Sequence, residues 1–352
     1  MKRIALFLLL AILVLPSCSS PATQNANSGQ PKNAGVVEVT NWGEYIDESI
    51  FADFEKETGI KVNYTTYSTN EELYSKLKSG GAVYDVVFPS DYMVSRMIAE
   101  NMLEPLDMGK IPNFSLVEPN FQNPVYDPQH QYSVPYMWGT VGLIYNSTMV
   151  QEPVDSWSVL FDPQYSGKIL MFDNPRDAFG IAMRIKGYDY NTTDENQIRD
   201  AFSLLQQQKP LVQAYVMDQI FDKLTSNEAA IGPYYAGDAI TMMADNPDLR
   251  YVLPKEGSNL FVDTMCVPKG APHKDQAETF INFMLSNAIM LRNADVTGYS
   301  IPTVAVDQLD SETRSNPIAY PPADVLAKCD IFTDLPAETR SLYDDLWMQL
   351  KK

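Results

Sequence analysis

Val36-Val37-Glu38-Val39-Thr40-Asn41-Trp42-Gly43-Glu44-Tyr45 reads as a β-strand that runs directly into a turn, and the turn carries a carboxylate between two aromatic side chains. The β-branched run supplies the strand. Working outward, the same pattern recurs. Asp47 is placed to cap a helix reaching Glu57, with Ile50, Phe51 and Phe54 on one face and Gly59 as its stop. Residues 60–67 alternate apolar and polar side chains, as a half-buried strand does. Thr69-Asn70-Glu71-Glu72 has the residue types of a helix start, and that helix carries Leu73 and Leu77 before Gly80-Gly81 ends it. Residues 84–88 are again β-rich, and Pro89-Ser90 turns the chain into a third helix bearing Met93, Met97 and Ile98. Three strand–helix units with short links predict an α/β fold with an open, mainly parallel sheet, whose ligand chemistry lies at the carboxyl ends of the strands. Trp42, Glu44, Tyr45, Ser90 and Tyr92 fall at such ends.

Beyond this regular start, residues 104–135 are crowded with Pro, Asn and Asp, and 136–145 resume a strand. A second lobe follows, with helices predicted at 178–186, 195–208 and 217–226 and strand-like pieces at 168–172, 229–233 and 250–253. The apolar run 265–267 leads through Pro268 to a strong helix over 275–286.

At the other end of the chain, Lys2 and Arg3 precede an apolar run over residues 4–15 that is short for a bilayer span and ends in small residues, the pattern of an export signal. Leu15-Pro16-Ser17-Cys18 resembles the bacterial lipobox, so residues 1–17 are expected to be removed and Cys18 to carry a lipid anchor. Residues 18–35 are rich in Ser, Asn, Gln, Pro and Gly and read as a flexible tether. Removing residues 1–17 from the 352 leaves 335, enough for two domains with a core each. The formal charge of −19 becomes −21 without Lys2 and Arg3, a field that repels nucleic acid and anionic lipid and draws cations. Cys266 and Cys329 belong to no CxxC or Cys/His cluster; one disulfide and two buried thiols are both compatible with an exported chain. Neither His130 nor His273 has a nucleophile beside it in sequence, and no GxSxG, HExxH or Gly-rich phosphate loop is present, so no enzyme class is indicated.

The colinear set Asn41 to Tyr45, Pro89-Ser90-Asp91-Tyr92, Asp173-Asn174-Pro175-Arg176-Asp177, Phe261-Val262-Asp263 and Gly298-Tyr299 resembles the spermidine/putrescine-binding proteins of bacterial polyamine ABC importers. Tyr136-Met137-Trp138-Gly139, Pro254-Lys255-Glu256-Gly257 and Ile281-Asn282-Phe283-Met284 extend the likeness over nearly the whole mature chain. The resemblance implies a class II periplasmic-binding-protein fold: two α/β lobes, 36–141 with 264–311 and 142–263 with 312–352, joined by crossing hinge segments around a ligand cleft. It also implies a putrescine or spermidine ligand, a membrane permease as partner, a monomer and no cofactor.

Carried over residue by residue, the cleft takes Trp42, Glu44, Tyr45, Ser90 and Tyr92 from the first lobe, and Asn174, Asp177, Tyr235, Phe261, Asp263 and Tyr299 from the other side and the hinge. Acids would accept from ammonium groups while rings cover the methylenes. Three positions depart from the family. Asn174 stands where an aspartate is expected, and Tyr235 and Phe261 where tryptophans are. Asp173 is the neighbouring acid that would compensate for Asn174; otherwise the site is tuned towards putrescine. Either Phe332 or Thr333 matches a late polar contact. Plainer roles remain open: Ser90 as a helix N-cap, Trp42 and Tyr299 as core rings, and Asp177 as the partner of Arg176 or Arg184. The adjacent Tyr234 and Tyr235 permit a second reading, the phenolate pair of ferric-ion-binding proteins of the same fold superfamily.

Overall fold

The computed structural model describes residues 35–151 and 153–352; the expected signal, Cys18 and nearly all of the tether lie outside the described residues. The chain opens with β1 (Gly35–Trp42), α1 (Ile50–Thr58), β2 (Ile60–Tyr67), α2 (Asn70–Ser79), β3 (Val86–Val87) and α3 (Asp91–Ala99). Local signals account for most of these limits. Gly59 closes α1 at φ 74°, and its N–H donates to the Glu55 carbonyl. Thr69 caps α2, its hydroxyl accepting from the Glu72 N–H at 3.1 Å. The first helix begins later than its Asp47 signal because Asp47 is spent elsewhere. Its carboxylate accepts from the Ser49 N–H at 3.0 Å and from Arg292 Nε at 2.9 Å.

Next come β4 (Ser133–Asn146), β5 (Ile169–Phe172), α4 (Pro175–Lys186), α5 (Glu195–Gln208), β6 (Val212–Val216), α6 (Ile220–Thr225), β7 (Ile231–Tyr235) and α7 (Ala236–Asp245). The chain ends with β8 (Leu249–Val252), β9 (Ser258–Cys266), α8 (Lys274–Met284), α9 (Asn287–Thr297), α10 (Ser311–Ser315), α11 (Ala323–Leu326), β10 (Cys329–Asp330) and α12 (Ala337–Lys351). The helix expected over 217–226 shrinks to α6, since residues 217–219 form a turn that starts it.

The strand order is β2-β1-β3-β9-β4-β7-β5-β6. The expected parallel sheet holds only towards its two ends: β1 runs parallel to β2 and β3, and β5 parallel to β6 and β7. The middle is antiparallel, a correction that follows from two long crossing strands. β4 is buried along its whole length. Its residues 133–140 pair with β9, and from Val141 onward it pairs with β7 and β8. One extended strand thus ties the two parallel portions together, and β9 runs antiparallel beside it to reach β3.

Packing follows from the apolar faces. Phe54 is fully buried between Phe280 and Phe283, with ring centroids 5.3 and 5.2 Å away. On the far side, α12 lays Tyr343 against Phe179 of α4 at 4.8 Å. Cys329 pairs beside Ser258 at one end of β9 while Cys266 stands at the other. That separation is roughly 25 Å at a strand's rise per residue, far beyond disulfide reach, and both thiols are free.

Gly237, in the first turn of α7, is required by a close approach: a Cβ there would overlap the ring of Tyr299, which is itself buried. The ring cannot retreat without disturbing Tyr45, whose centroid lies 4.6 Å away. Gly237→Ala is therefore expected to destabilise the fold by about 1–3 kcal/mol through overpacking. Urea unfolding checks this, and an unchanged midpoint would mean that the aromatic cluster has slack.

Candidate functional site

The carboxyl ends of β1, β3, β5 and β7 and the middle of β9 surround a cleft of about 660 Å³. Among the described residues its wall contains five aspartates, Asp91, Asp177, Asp218, Asp238 and Asp263, and no Lys, Arg or His. The charge pattern is set by backbone positions: Asp91, Asp177 and Asp238 lie in the first turns of α3, α4 and α7, where the helix dipole favours an acid.

Each acid is held by neutral donors. Asp263, on β9, accepts from the Ser90 hydroxyl at 2.6 Å and from the Tyr45 hydroxyl at 2.8 Å. Burial pushes its carboxyl up to about 7, although both hydrogen bonds pull the other way. Asp177 accepts from Asn174 Nδ2 at 2.8 Å and the Tyr235 hydroxyl at 3.2 Å, both on Oδ2. Burial likewise raises it to about 7. Asp238 is raised well above the carboxylate range, first by burial and further by the charges of Asp218, Glu44 and Asp263. Asp218 accepts from the Tyr234 hydroxyl at 3.3 Å and is also raised by burial. Asp91, lifted to about 8 by burial, accepts from the backbone N–H groups of Tyr92 at 2.7 Å and Val262 at 3.2 Å.

Aromatic rings fill the space between these acids. Tyr235 meets Phe261 edge-on at 5.5 Å, and Phe261 meets Tyr299 at 6.2 Å. Trp42 is half-buried, its indole N–H donating to the Phe88 carbonyl at 2.8 Å and its ring 4.7 Å from Tyr67. A wall of this kind suits a cation with an apolar stem, because the rings offer negative faces and cover methylenes.

Of the residues predicted from sequence, the cleft brings together Trp42, Tyr45, Ser90, Tyr92, Asn174, Asp177, Tyr235, Phe261, Asp263 and Tyr299. Glu44 is the exception. It takes a left-handed φ of 50° and is exposed beside the cleft wall, from where its charge helps to raise Asp218 and Asp238. Asp173 does not replace Asn174: it faces outward and accepts from Lys351 Nζ at 2.8 Å. Phe332, and not Thr333, lines the cleft, which makes this contact apolar. Ser90 satisfies both of its readings in part. It occupies the N-cap position of α3, yet its hydroxyl makes no cap bond and is given to Asp263.

Asp218 and Asp238 escaped sequence reading. The signal for Asp238 was present, because it follows the strand-end Tyr235 by one helical turn, as Tyr92 follows Pro89. The phenols of Tyr234 and Tyr235 are held protonated, well above the usual tyrosine range, by burial and by acids beside them.

Residues 49–321 match the family described as bacterial extracellular solute-binding protein. The chain is 35% identical to the spermidine/putrescine-binding periplasmic protein of Escherichia coli K12 over 314 residues, 88% of this chain and 90% of that protein. Among solved structures, a Listeria monocytogenes protein described as a spermidine/putrescine ABC transporter aligns with a TM-score of 0.87 at 39% identity, covering 90% of this chain and 98% of that one. The spermidine/putrescine transporter substrate-binding protein of Streptococcus pneumoniae, solved with calcium and HEPES, aligns with a TM-score of 0.76 at 37% identity and the same coverage. The chain has the periplasmic-binding-protein fold and belongs to the bacterial extracellular solute-binding proteins, in the spermidine/putrescine-binding group.

Proposed function

We propose that this protein is the extracytoplasmic receptor of a polyamine ABC importer, binding putrescine or spermidine in the acidic aromatic cleft and handing it to a membrane permease without chemistry of its own. One observation carries the reading: four buried aspartates, Asp91, Asp177, Asp238 and Asp263, and the exposed Asp218 share a cleft wall that, among the described residues, holds no basic side chain. Carboxylates removed from water need a cation, and a diammonium chain supplies two on a flexible apolar stem. Two poles suit its two ends, Asp177 on one side and Asp263 with Asp238 and Asp218 on the other. The relatives named above as binding spermidine and putrescine support the same ligand class.

The lobes, 36–141 with 264–311 and 142–263 with 312–352, would close on ligand as a hinge about β4 and β9, and the permease would recognise the closed form. Lipidation at Cys18 and the tether of residues 18–35 would keep a monomeric receptor at the outer face of the membrane.

Calorimetry of the mature domain against putrescine, spermidine, spermine, cadaverine and Fe³⁺ tests this directly. Heat with the metal alone would overturn it. Asp263→Asn should weaken putrescine by about 2–5 kcal/mol in a folded protein, because a buried charged acceptor becomes an amide. Unchanged affinity would remove Asp263 from the site.

A pH dependence follows from the raised carboxyls. Asp177 and Asp263 titrate near 7 without ligand, and an ammonium beside each lowers them, so binding releases protons. Affinity for putrescine should fall on the order of 10- to 100-fold from pH 8 to pH 6, where ordinary carboxylates would give no change. The ligand-free protein should move oppositely. Its folded-state carboxyls bind protons between about 7 and the unfolded value of about 4, so its stability rises as pH falls through that window. Titration calorimetry and thermal melts at both pH values measure the two trends, and a flat affinity profile refutes the assignment.

Asn174 sets the preference between ligands. Its Oδ1 caps α4 by accepting from the Arg176 N–H at 2.9 Å, and its Nδ2 occupies Asp177, so this pole offers charge for one ammonium. Putrescine should bind comparably to or better than spermidine. Asn174→Asp keeps the cap and adds a charge, worth about 4 kcal/mol for an ion pair at 4 Å and an effective dielectric of 20 before desolvation. Spermidine affinity should therefore gain more than putrescine affinity. A parent that strongly prefers spermidine, with no differential gain in the variant, would contradict this.

A further inference from the structure

Beside the main cleft lies a second, partly open pocket, and Tyr92 belongs to the walls of both. Arg176 of α4 borders it, buried to 8% exposure. Its Nη2 donates to Asn191 Oδ1 at 3.1 Å and to the Thr333 carbonyl at 3.2 Å, while Nε and Nη1 are buried without a partner. The guanidinium cannot swing out to water, being packed 4.5 Å from the centroid of the Phe332 ring. Glu71 of α2 borders the same pocket. Its Oε1 accepts from the Tyr92 hydroxyl at 3.0 Å, and its Oε2 is buried without a partner. Burial raises the Glu71 carboxyl, and the nearby Arg176 charge opposes that rise.

We infer that Glu71 and Arg176 are a latch between the two lobes, which engages when ligand draws them fully together. This rests on the receptor reading above. The two groups come from opposite sides of the cleft, α2 packing with α3 in the first parallel portion and α4 with α5 in the second. A cation with two idle donors and an anion with an idle acceptor, both already desolvated, gain a charged hydrogen bond when closure brings them into contact. Tyr92 couples the latch to the ligand. Its ring lines the polyamine cleft and its hydroxyl fixes the Glu71 carboxylate, so a ligand seated against the ring steadies Glu71 for Arg176. A looser charge pair crosses the same seam, where Arg340 Nη2 of α12 stands 3.9 Å from Glu100 Oε1 at the end of α3. Glu71 and Arg176 are positioning residues here and do not touch the ligand.

The latch predicts a division between rates. Encounter occurs with the lobes apart and release requires the latch to break, so its loss should act on dissociation. Stopped-flow measurement of putrescine binding to the full mature domain should show dissociation about 10-fold faster in Glu71→Gln, with association changed less than about 2-fold. The ligand-free melting temperature should not move, whereas a merely structural role would lower it. Arg176→Met should speed dissociation alike, with a lower ligand-free melting temperature because its bonds to Asn191 and Thr333 also go, and the double variant should release ligand no faster than either single one. If Arg176→Met does not fold, Arg176→Lys keeps the charge without the planar fork and should dissociate at an intermediate rate. An unchanged off-rate in folded Glu71→Gln, or additive effects in the double variant, overturns the latch while leaving the receptor reading intact. If the parent binds no polyamine in calorimetry, the receptor reading falls and the latch with it.

Discussion

A carboxylate taken out of water without a cation is among the costliest groups a fold can bury, and this protein lines one cleft with four, beside a fifth, Asp218, that stays exposed. Nearly everything around the cleft tempers that cost without removing it. Hydroxyls of Ser90, Tyr45, Tyr234 and Tyr235 and the amide of Asn174 donate to the acids. They fix where the oxygens point, but a neutral donor cancels no charge, so Asp177, Asp238 and Asp263 keep pKa values raised by desolvation. The free protein is thereby held short of the stability that its packing would allow. The missing charge is the quantity a ligand brings.

The same acids lie on the parts that connect the two halves of the sheet. Asp263 belongs to β9, pairs across to Met137 of β4, and forms an isolated bridge to Ser90 at the start of α3. The side chain that most directly joins the first helical turn, the crossing strands and the aromatic wall is therefore also one of the acids proposed to meet the ligand. Charge placed on Asp263 must be felt at the crossing strands, which is how one binding event can bias the disposition of both lobes.

Local chemistry made much of this legible in sequence. The glycine stop of α1, the threonine cap of α2 and the alternation of β2 depend on neighbours within a turn or two, and the structure has them where the residues indicate. Strand direction was not legible beyond the first three units. Whether β9 runs with or against β3 depends on pairing between residues nearly two hundred positions apart, which no local pattern records. The site divides along the same line. Most residues carried over with the colinear motifs line the cleft, whereas Glu44, between Trp42 and Tyr45 in the first of them, lies outside its wall in a left-handed turn conformation that its residue type does not announce. Asp238 was hidden because the helix whose first turn carries it, Ala236–Asp245, was not among the helices that the sequence pattern indicated.

Charge is distributed unequally between the two poles of the proposed site. At the Asp177 pole the neighbouring position is the amide of Asn174, both close donors converge on one carboxylate oxygen, and Phe332 supplies an apolar surface. At the opposite pole Asp218 and Asp238 lie near Asp263, with the charge of Glu44 adding to their field. An ammonium at the first pole meets one carboxylate and is bounded by rings; an ammonium at the second enters a field from several acids. Selectivity between polyamines of different length then rests on where the acids stand along the stem, since every additional ammonium must find a desolvated carboxylate within a few ångströms or forfeit its hydration uncompensated. The total charge of the chain carries little of that information, and the positions of Asn174 and Asp238 carry most of it.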